Sequence, residues 1–234
     1  AYIEQDSRFR DITLKRSLTK YQPFNRMNVR LKKEIISIGL DHIKPADYTG
    51  EEITPVDFKQ LLDEGKEVLV LDTRNDYECR IGTFDNAMEL DIKSFRDFPR
   101  AVGEISEEYK DTPVVMFCTG GIRCEKALHS FEKEGLNDIY QLQGGILNFL
   151  SESKDKSSWQ GDCFVFDERV TVTNELSPGD YKQCYACRRP LSKDDLQKPE
   201  YKKGISCHNC FFEKTESDRI RYAERQKQFD MKKS

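Results

Sequence analysis

The sequence has no apolar run approaching the roughly 18 residues that a membrane-spanning helix needs, and no basic start followed by an apolar stretch of signal-peptide form. A soluble, cytoplasmic protein is the expectation. Histidine is scarce: His42, His129 and His208 stand far apart and in no ligand spacing, so an iron site built from two histidines and a carboxylate is not encoded. Each is read as a surface or packing residue. Apolar residues are sparse as well, at 37% against the roughly 45–50% usual for globular domains, whereas charged residues reach 34% against the usual roughly 25%. Part of the chain is therefore expected to be solvated or peripheral. An initiator methionine is missing and the first residues are polar and basic, so a fragment, or a chain without its first residues, is expected. At 234 residues one substantial domain or two small ones can form without covalent staples.

Charge is uneven along the chain. Residues 1–33 carry nine Lys and Arg against three Asp and Glu, a net of +6, while residues 51–150 carry 11 against 21, a net of −10. A basic leading segment thus precedes an acidic domain. In "FNRMNVRLKKEIISIGL", Met27, Val29 and Leu31 alternate with polar residues before Ile35, Ile36 and Ile38, a period of two that predicts a strand. A lone strand buries nothing, so residues 1–45 are expected to be the last portion of an N-terminal α/β domain.

After a linker-like stretch, Thr54-Pro55 with Asp57 reads as a helix start, for a helix ending near Gly65. Short apolar runs follow at 68–72, 87–91, 114–118 and 138–142, separated by helix-compatible stretches. That alternation predicts a mostly parallel α/β sheet over residues 50–152, with ligands bound at the carboxyl ends of its strands. Residues 160–234 are expected to be an extension: "CFVFDERVTVT" alternates like a strand, paired cysteines follow, and the last 24 residues form either a helix leaning on something else or a disordered tail.

Eight cysteines in a chain with no export signal point to metal or catalytic use rather than disulfides. Cys118 closes the run "VVMFC" and opens the loop Cys118-Thr119-Gly120-Gly121-Ile122-Arg123, after which Ala127, Leu128 and Phe131 share a helix face. Two glycines let the backbone turn tightly with its amides facing the sulfur, and both a helix N-terminus and Arg123 favour a thiolate or an anion beside it. A nucleophilic cysteine in an anion cradle is the expected outcome, against the plainer reading of a buried strand-end cysteine before a glycine turn. Arg123 follows Cys118 by five positions, where cysteine phosphatases use six to encircle a phosphate, so phosphatase chemistry is disfavoured. Cys124 reads either as a buried helix residue or as a resolving thiol that traps an oxidised Cys118; Cys79 and Cys163 read as ordinary thiols.

Near the end, "CYAC" and "CHNC" place Cys184, Cys187, Cys207 and Cys210 as two Cys-x2-Cys knuckles separated by 19 residues. That spacing suits four thiolates around a tetrahedral, structural zinc ion, with two disulfides or four reduced thiols as the alternatives. The spacer has almost no apolar residues, so something other than burial must order it. Arg188, Arg189, Lys202 and Lys203 surround the knuckles and either meet phosphates or solvate the module.

The motif "CTGGIR" resembles the active loop of single-domain rhodanese sulfurtransferases, and "LDTRNDYECRIGTFDNAMELDI" and "IYQLQGG" resemble two further segments of that family. In it Asp72 and Arg74 brace the fold. More closely, "FCTGGIRCEKA" with "FVFDER" after it, "PFNRMNVRLKKEII" before it and the cysteine-rich end resemble the rhodanese-containing tRNA uridine hydroxylases, over nearly the whole chain. The resemblance implies an oxidoreductase that makes 5-hydroxyuridine at the wobble position of tRNA with molecular oxygen as co-substrate, Cys118 as the essential cysteine and Thr119 to Arg123 as its loop; no organic cofactor is evident in the sequence. The partner it implies is a tRNA anticodon loop; because the acidic central domain would repel RNA, contacts are expected from the basic flank Lys15, Arg16, Lys20, Arg26, Arg30, Lys32 and Lys33, against the plainer reading of an ordinary charged surface. A persulfide-carrying sulfurtransferase, which is what the loop alone argues, and a non-catalytic RNA- or protein-binding scaffold are the competing readings.

Overall fold

The structure, a computed structural model, describes residues 5–9, 22, 24, 28–32, 34–40, 43, 50–136 and 138–231. Its centre is a five-stranded parallel sheet made of β1 (Glu51–Ile53), β2 (Leu69–Asp72), β4 (Met88–Glu89), β5 (Val114–Phe117) and β6 (Ile139–Leu142), in the order β1-β6-β5-β2-β4. The apolar runs named above supply four of these strands. β5 is the central one, paired with β2 and β6, and each of its four residues is fully buried. A parallel strand covered on both faces has to be apolar at every position, which is why "VVMF" does not alternate.

Successive side chains of β5 point to opposite faces and feed separate cores. Val114 and Met116 join Phe98, Ala101 and Val102 of α3 (Phe98–Ile105) and Ala127, Leu128 and Phe131 of α4 (Ile122–Lys133). Val115 and Phe117 join Phe58 of α1 (Pro55–Asp63), Ile146, Phe149 and Leu150 of α5 (Gly145–Glu152), and an aromatic cluster around Phe84. Each of the valine, leucine, isoleucine, methionine and phenylalanine side chains among them contributes roughly 1.5–3 kcal/mol when fully buried rather than exposed. β5 is therefore firmly anchored, and so is the residue that follows it.

The start of α1 forms as expected: Thr54 Oγ1 accepts from the Asp57 amide at 3.2 Å, and Pro55 takes the first helical position. Asp72 and Arg74 brace the carboxyl end of β2. α2 (Asp76–Cys79) follows them, and both side chains are fully buried; Nη2 and Nε of Arg74 donate to Asp72 at 2.6 and 2.9 Å, while Nη2 also reaches the Gly82 carbonyl at 2.6 Å. Nearly every charge-bearing atom of that pair is hydrogen-bonded, the condition under which a buried ion pair is tolerated.

The strand expected around Met27–Ile38 does not form among the described residues of that segment. Val29 and Leu31 are 90% and 105% exposed, with no strand among the described residues to complete a ladder. Ile38 and Ile43 are instead buried against the α3–α4 core, and Lys126 of α4 ties the segment down by donating to Glu34 and to the Ile36 carbonyl at 2.6 and 2.7 Å. The single strand expected over "CFVFDERVTVT" is a hairpin, β8 (Cys163–Phe164) and β9 (Thr171–Val172), which follows β3 (Gly82–Phe84) and its antiparallel partner β7 (Trp159–Gly161). The chain reverses at Asp167–Val170, where Val170 adopts φ +67°, a left-handed conformation that β-branched residues rarely take. Beyond it β10 (Lys182–Gln183) and β11 (Pro190–Leu191) pair antiparallel, and α6 (Glu216–Met231) is the helix expected at the end. No helix among the described residues is long and apolar enough to cross a membrane.

Candidate active site and metal centre

Cys118 stands at the carboxyl end of the central strand, where a parallel sheet presents its ligands. Gly121 adopts φ +91° and caps the start of α4, and its amide donates to Cys118 Sγ at 3.1 Å. The thiol is held at about 6, below the ordinary thiol value: a hydrogen bond with the Cys124 thiol is the largest cause, burial opposes it, and the Arg123 charge and the amides of Arg123 and Gly120 act in the same direction as Cys124. Cys124 is pushed well above the ordinary value, first by burial and then by its neighbour. The two thiols are thus shifted in opposite directions, Cys118 toward the thiolate and Cys124 toward the thiol.

Arg123 is nearly buried. Its Nη2 donates to both Glu78 oxygens at 3.0 and 2.7 Å, Glu78 being fully buried on α2. Its Nη1 is buried with no hydrogen-bond partner among the described residues, which leaves its N–H groups for an anionic group at the loop. The loop is closed on another side by the hairpin after β7. Thr119 Oγ1 donates to the Phe164 carbonyl at 3.3 Å, and the Phe166 ring lies 5.5 Å from the Arg123 guanidinium.

Beneath the loop sits the turn Gly144-Gly145. The amides of Ile146 and Leu147, in the first turn of α5, donate to the carbonyls of Cys118 and Thr119 at 3.0 and 3.1 Å. Gly145 has φ +67°, and a Cβ there would overlap the Cys118 carbonyl oxygen and come within 2.8 and 2.9 Å of the Gly121 and Gly120 nitrogens. Gly145→Ala should therefore destabilise the protein by about 2 kcal/mol or more, from backbone strain plus displacement of the loop. Urea unfolding measures the loss, and a fall in Cys118 alkylation rate should accompany it; a variant with unaltered stability and alkylation would refute this account.

The four paired cysteines come together. Their sulfurs all lie within 4.8 Å of one another, with Cys184–Cys210 at 4.0 Å and Cys187–Cys207 and Cys207–Cys210 at 3.7 Å. Metal–sulfur bonds of about 2.3 Å in a tetrahedron put the sulfurs about 3.8 Å apart, so this donor set fits a metal ion. The Cys207 amide points at Cys210 Sγ at 3.4 Å, which orients that ligand. α6 leans on the first knuckle and on the turn before the second: Arg225 Nη2 donates to the carbonyls of Tyr185 and Gly204 at 2.7 and 3.1 Å.

The remaining residues singled out from the sequence lie elsewhere. All eight cysteines are free; Cys79 and Cys163 are buried, which pushes both thiols up, Cys163 to about 12. His129 and His208 sit 3.5 Å from Glu132 and Asp195 respectively, in different parts of the fold, and His42 lies outside the described residues. Lys15, Arg16, Lys20, Arg26 and Lys33 also lie outside them, while Arg30 and Lys32 are exposed. Sequence reasoning missed the roles of Glu78, Gly145 and Phe166. Glu78 and the Gly-Gly turn stood in the quoted motifs, but nothing in the sequence pairs Glu78 with Arg123 or sets Phe166 over it.

A strand-end thiolate in an amide cradle on a parallel sheet defines a rhodanese-like domain, and residues 54–152 match that family. The chain as a whole is 48% identical over 229 residues to a tRNA uridine(34) hydroxylase of Acaryochloris marina (strain MBIC 11017), covering 97% of this chain and 74% of that protein. The chain belongs to the tRNA uridine(34) hydroxylase family. Among solved structures, the rhodanese-like domain of an Anabaena sp. protein matches 48% of this chain and 80% of its own at 17% identity and TM-score 0.40. A rhodanese-like domain protein from Staphylococcus aureus matches 43% and 91% at 26% identity and TM-score 0.36.

Proposed function

We propose that the protein hydroxylates the wobble uridine, position 34, of tRNA to 5-hydroxyuridine in the cytoplasm, with molecular oxygen as co-substrate. The observation that carries this reading is the identity to a named hydroxylase along nearly the whole chain, joined to a cradled thiol at Cys118 whose surroundings favour the thiolate. In it, Cys118 is the reactive group, Thr119, Gly120, Gly121 and Ile122 shape its loop, and Arg123 Nη1 holds the anion that develops beside the sulfur. Glu78 fixes Arg123. Cys124, whose thiol is pushed up, favours the thiolate on Cys118 and serves as the resolving thiol for an oxidised Cys118, against the plainer reading of a buried helix residue. Residues 50–152 are the catalytic domain, residues 160–234 an extension, and residues 1–45 the end of a preceding α/β domain. Cys184, Cys187, Cys207 and Cys210 hold a structural zinc ion; four thiolates close its coordination, so the ion supplies a cross-link and no open catalytic position. Lys15, Arg16, Lys20, Arg26, Arg30, Lys32 and Lys33 contribute contacts to the phosphates of the anticodon arm.

The loop by itself favours a second reading, a sulfurtransferase carrying persulfide on Cys118. The deciding experiment is nucleoside mass spectrometry of tRNA from cells lacking the protein, with and without its gene restored. Loss and return of 5-hydroxyuridine derivatives support hydroxylation. Their persistence in the deletion strain, together with rapid thiosulfate-to-cyanide transfer by the purified protein, would establish the second reading instead.

A further inference from the structure

Aromatic side chains that are both exposed and fixed are uncommon, because exposure normally leaves a ring free to turn. Phe166 is 63% exposed, yet it is held on two sides. Its ring packs edge-to-face on Phe164 at 5.1 Å, Phe164 packs on Tyr77 at 5.6 Å, and the Arg123 guanidinium lies 5.5 Å from the Phe166 ring centre. The free face of an immobilised ring therefore stands directly beside the cysteine loop.

A second exposed ring stands close by. Tyr185, 39% exposed on the first cysteine knuckle, donates from its hydroxyl to Glu168 Oε2 at 3.2 Å, two residues beyond Phe166 in the same hairpin. Arg188 lies 5.3 Å from the Tyr185 ring centre. The metal module is thus fastened to the hairpin that roofs Cys118. Its charge differs from that of the sheet domain: residues 182–203 carry seven Lys and Arg against three Asp and Glu, a net of +4, while residues 51–150 carry −10.

We propose that Phe166 and Tyr185 form a stacking platform for unpaired RNA bases next to Cys118, with the basic knuckle module gripping the phosphates alongside. This rests on the reading of the protein as an RNA-modifying enzyme and adds to it where the substrate lies. The physics favours RNA over an apolar protein partner. A ring with a guanidinium over one face and 63% of its surface exposed offers its remaining face to a base, and a polyanion approaching the acidic sheet domain needs a basic strip to follow, which the module supplies. The metal ion then acts on substrate binding from a distance, by holding Tyr185 and the lysines at a fixed position relative to the loop.

The test uses the full chain with its metal and a labelled anticodon stem-loop RNA carrying uridine at the wobble position, with affinity read by fluorescence anisotropy. Phe166→Ala should weaken binding by roughly 5- to 150-fold, the range for loss of one base stack, and Phe166→Tyr, which keeps the ring, should restore it. Lys202→Gln with Lys203→Gln should flatten the slope of log affinity against log salt by about 0.7–0.9 for each lysine. Equal affinity of Phe166→Ala and wild type overturns the platform and leaves the hydroxylase reading intact. A Phe166→Ala variant with unchanged affinity but a displaced pH midpoint of Cys118 alkylation would show that the ring merely braces Arg123, which also overturns it. Failure of the wild type to bind or hydroxylate RNA removes the functional reading itself, and the platform with it.

Discussion

Replacing Cys118 by serine should abolish 5-hydroxyuridine formation, a loss of about a thousand-fold or more, while the protein stays folded. Serine is nearly isosteric and keeps the site packed, but its hydroxyl does not ionise near neutrality, and every feature around position 118 is arranged for an anion. Activity of Cys118→Ser within tenfold of wild type would refute a role for the thiolate. The pH dependence separates the contributions. Since the Cys118 thiol is held at about 6, its alkylation should rise through that pH and level off above it, whereas an unperturbed thiol has its midpoint at about 8.5. Cys124→Ala and Arg123→Gln should both move the midpoint upward, Cys124→Ala by more, because the Cys124 hydrogen bond is the larger cause. The sign for stability follows. A group whose folded value lies below its unfolded value adds stability that is complete above about 8.5 and is lost as pH falls through about 6. Wild type should therefore lose stability relative to Cys118→Ser between those limits, and a difference that grows with acidification would contradict the assignment.

The parts of this site that were legible in the sequence are local, and the parts that were not are contacts between distant segments. "VVMFCTGGIR" states a buried strand, a turn and a helix start in ten consecutive residues, and the structure places Cys118, Gly121 and Arg123 accordingly. Thr54-Pro55 likewise specifies its helix within one turn. By contrast Glu78 and Arg123 are 45 residues apart and meet only because β2 and β5 are neighbours in the sheet. The same pairing brings Thr73 Oγ1 to the Phe117 carbonyl at 2.9 Å and to within 3.8 Å of Cys124 Sγ. No periodicity carries that information.

Two expectations failed for the same reason. Alternation of apolar and polar residues states which faces a strand would present, but it does not say whether a partner strand exists. For Val29 and Leu31 no described strand lies alongside, and Ile38 and Ile43 reach the core without a ladder. In "FVFDERVTVT" the alternation runs straight through a reversal, because the residue that takes the left-handed conformation is Val170 rather than the glycine or asparagine that would announce a turn. Asp167 and Arg169 compensate by locking the turn with a forked ion pair, Nε to Oδ1 at 2.9 Å and Nη2 to Oδ2 at 2.5 Å, so that Phe164 and Phe166 are delivered to the cysteine loop. A strained turn that aims side chains at a reactive group is the kind of site where local sequence rules are expected to give way.

Removing the metal ion proposed for Cys184, Cys187, Cys207 and Cys210 should have the second large effect, confined to the end of the chain. Apart from the four cysteines, the module buries little: Leu191 is its fully buried apolar side chain, with Leu196 and Tyr201 partly covered. Structural zinc contributes roughly 10–16 kcal/mol to small domains of this kind, far more than one leucine supplies. α6 depends on the module in turn. None of its side chains is buried, and it is fastened by Arg225 to the carbonyls of Tyr185 and Gly204 and by Arg219 to those of Phe211 and Lys214 at 2.8 and 2.7 Å. A polar helix of 16 residues is marginal once such anchors are lost. Chelation, or Cys207→Ser, should therefore release one metal ion per chain, lower helical circular dichroism and expose residues from about Lys182 onward to proteolysis. The sheet domain, whose two cores contain no residue of the module, should keep its own unfolding transition and its Cys118 alkylation. A chelated protein whose final helix still resists protease would show that something other than the metal orders the module.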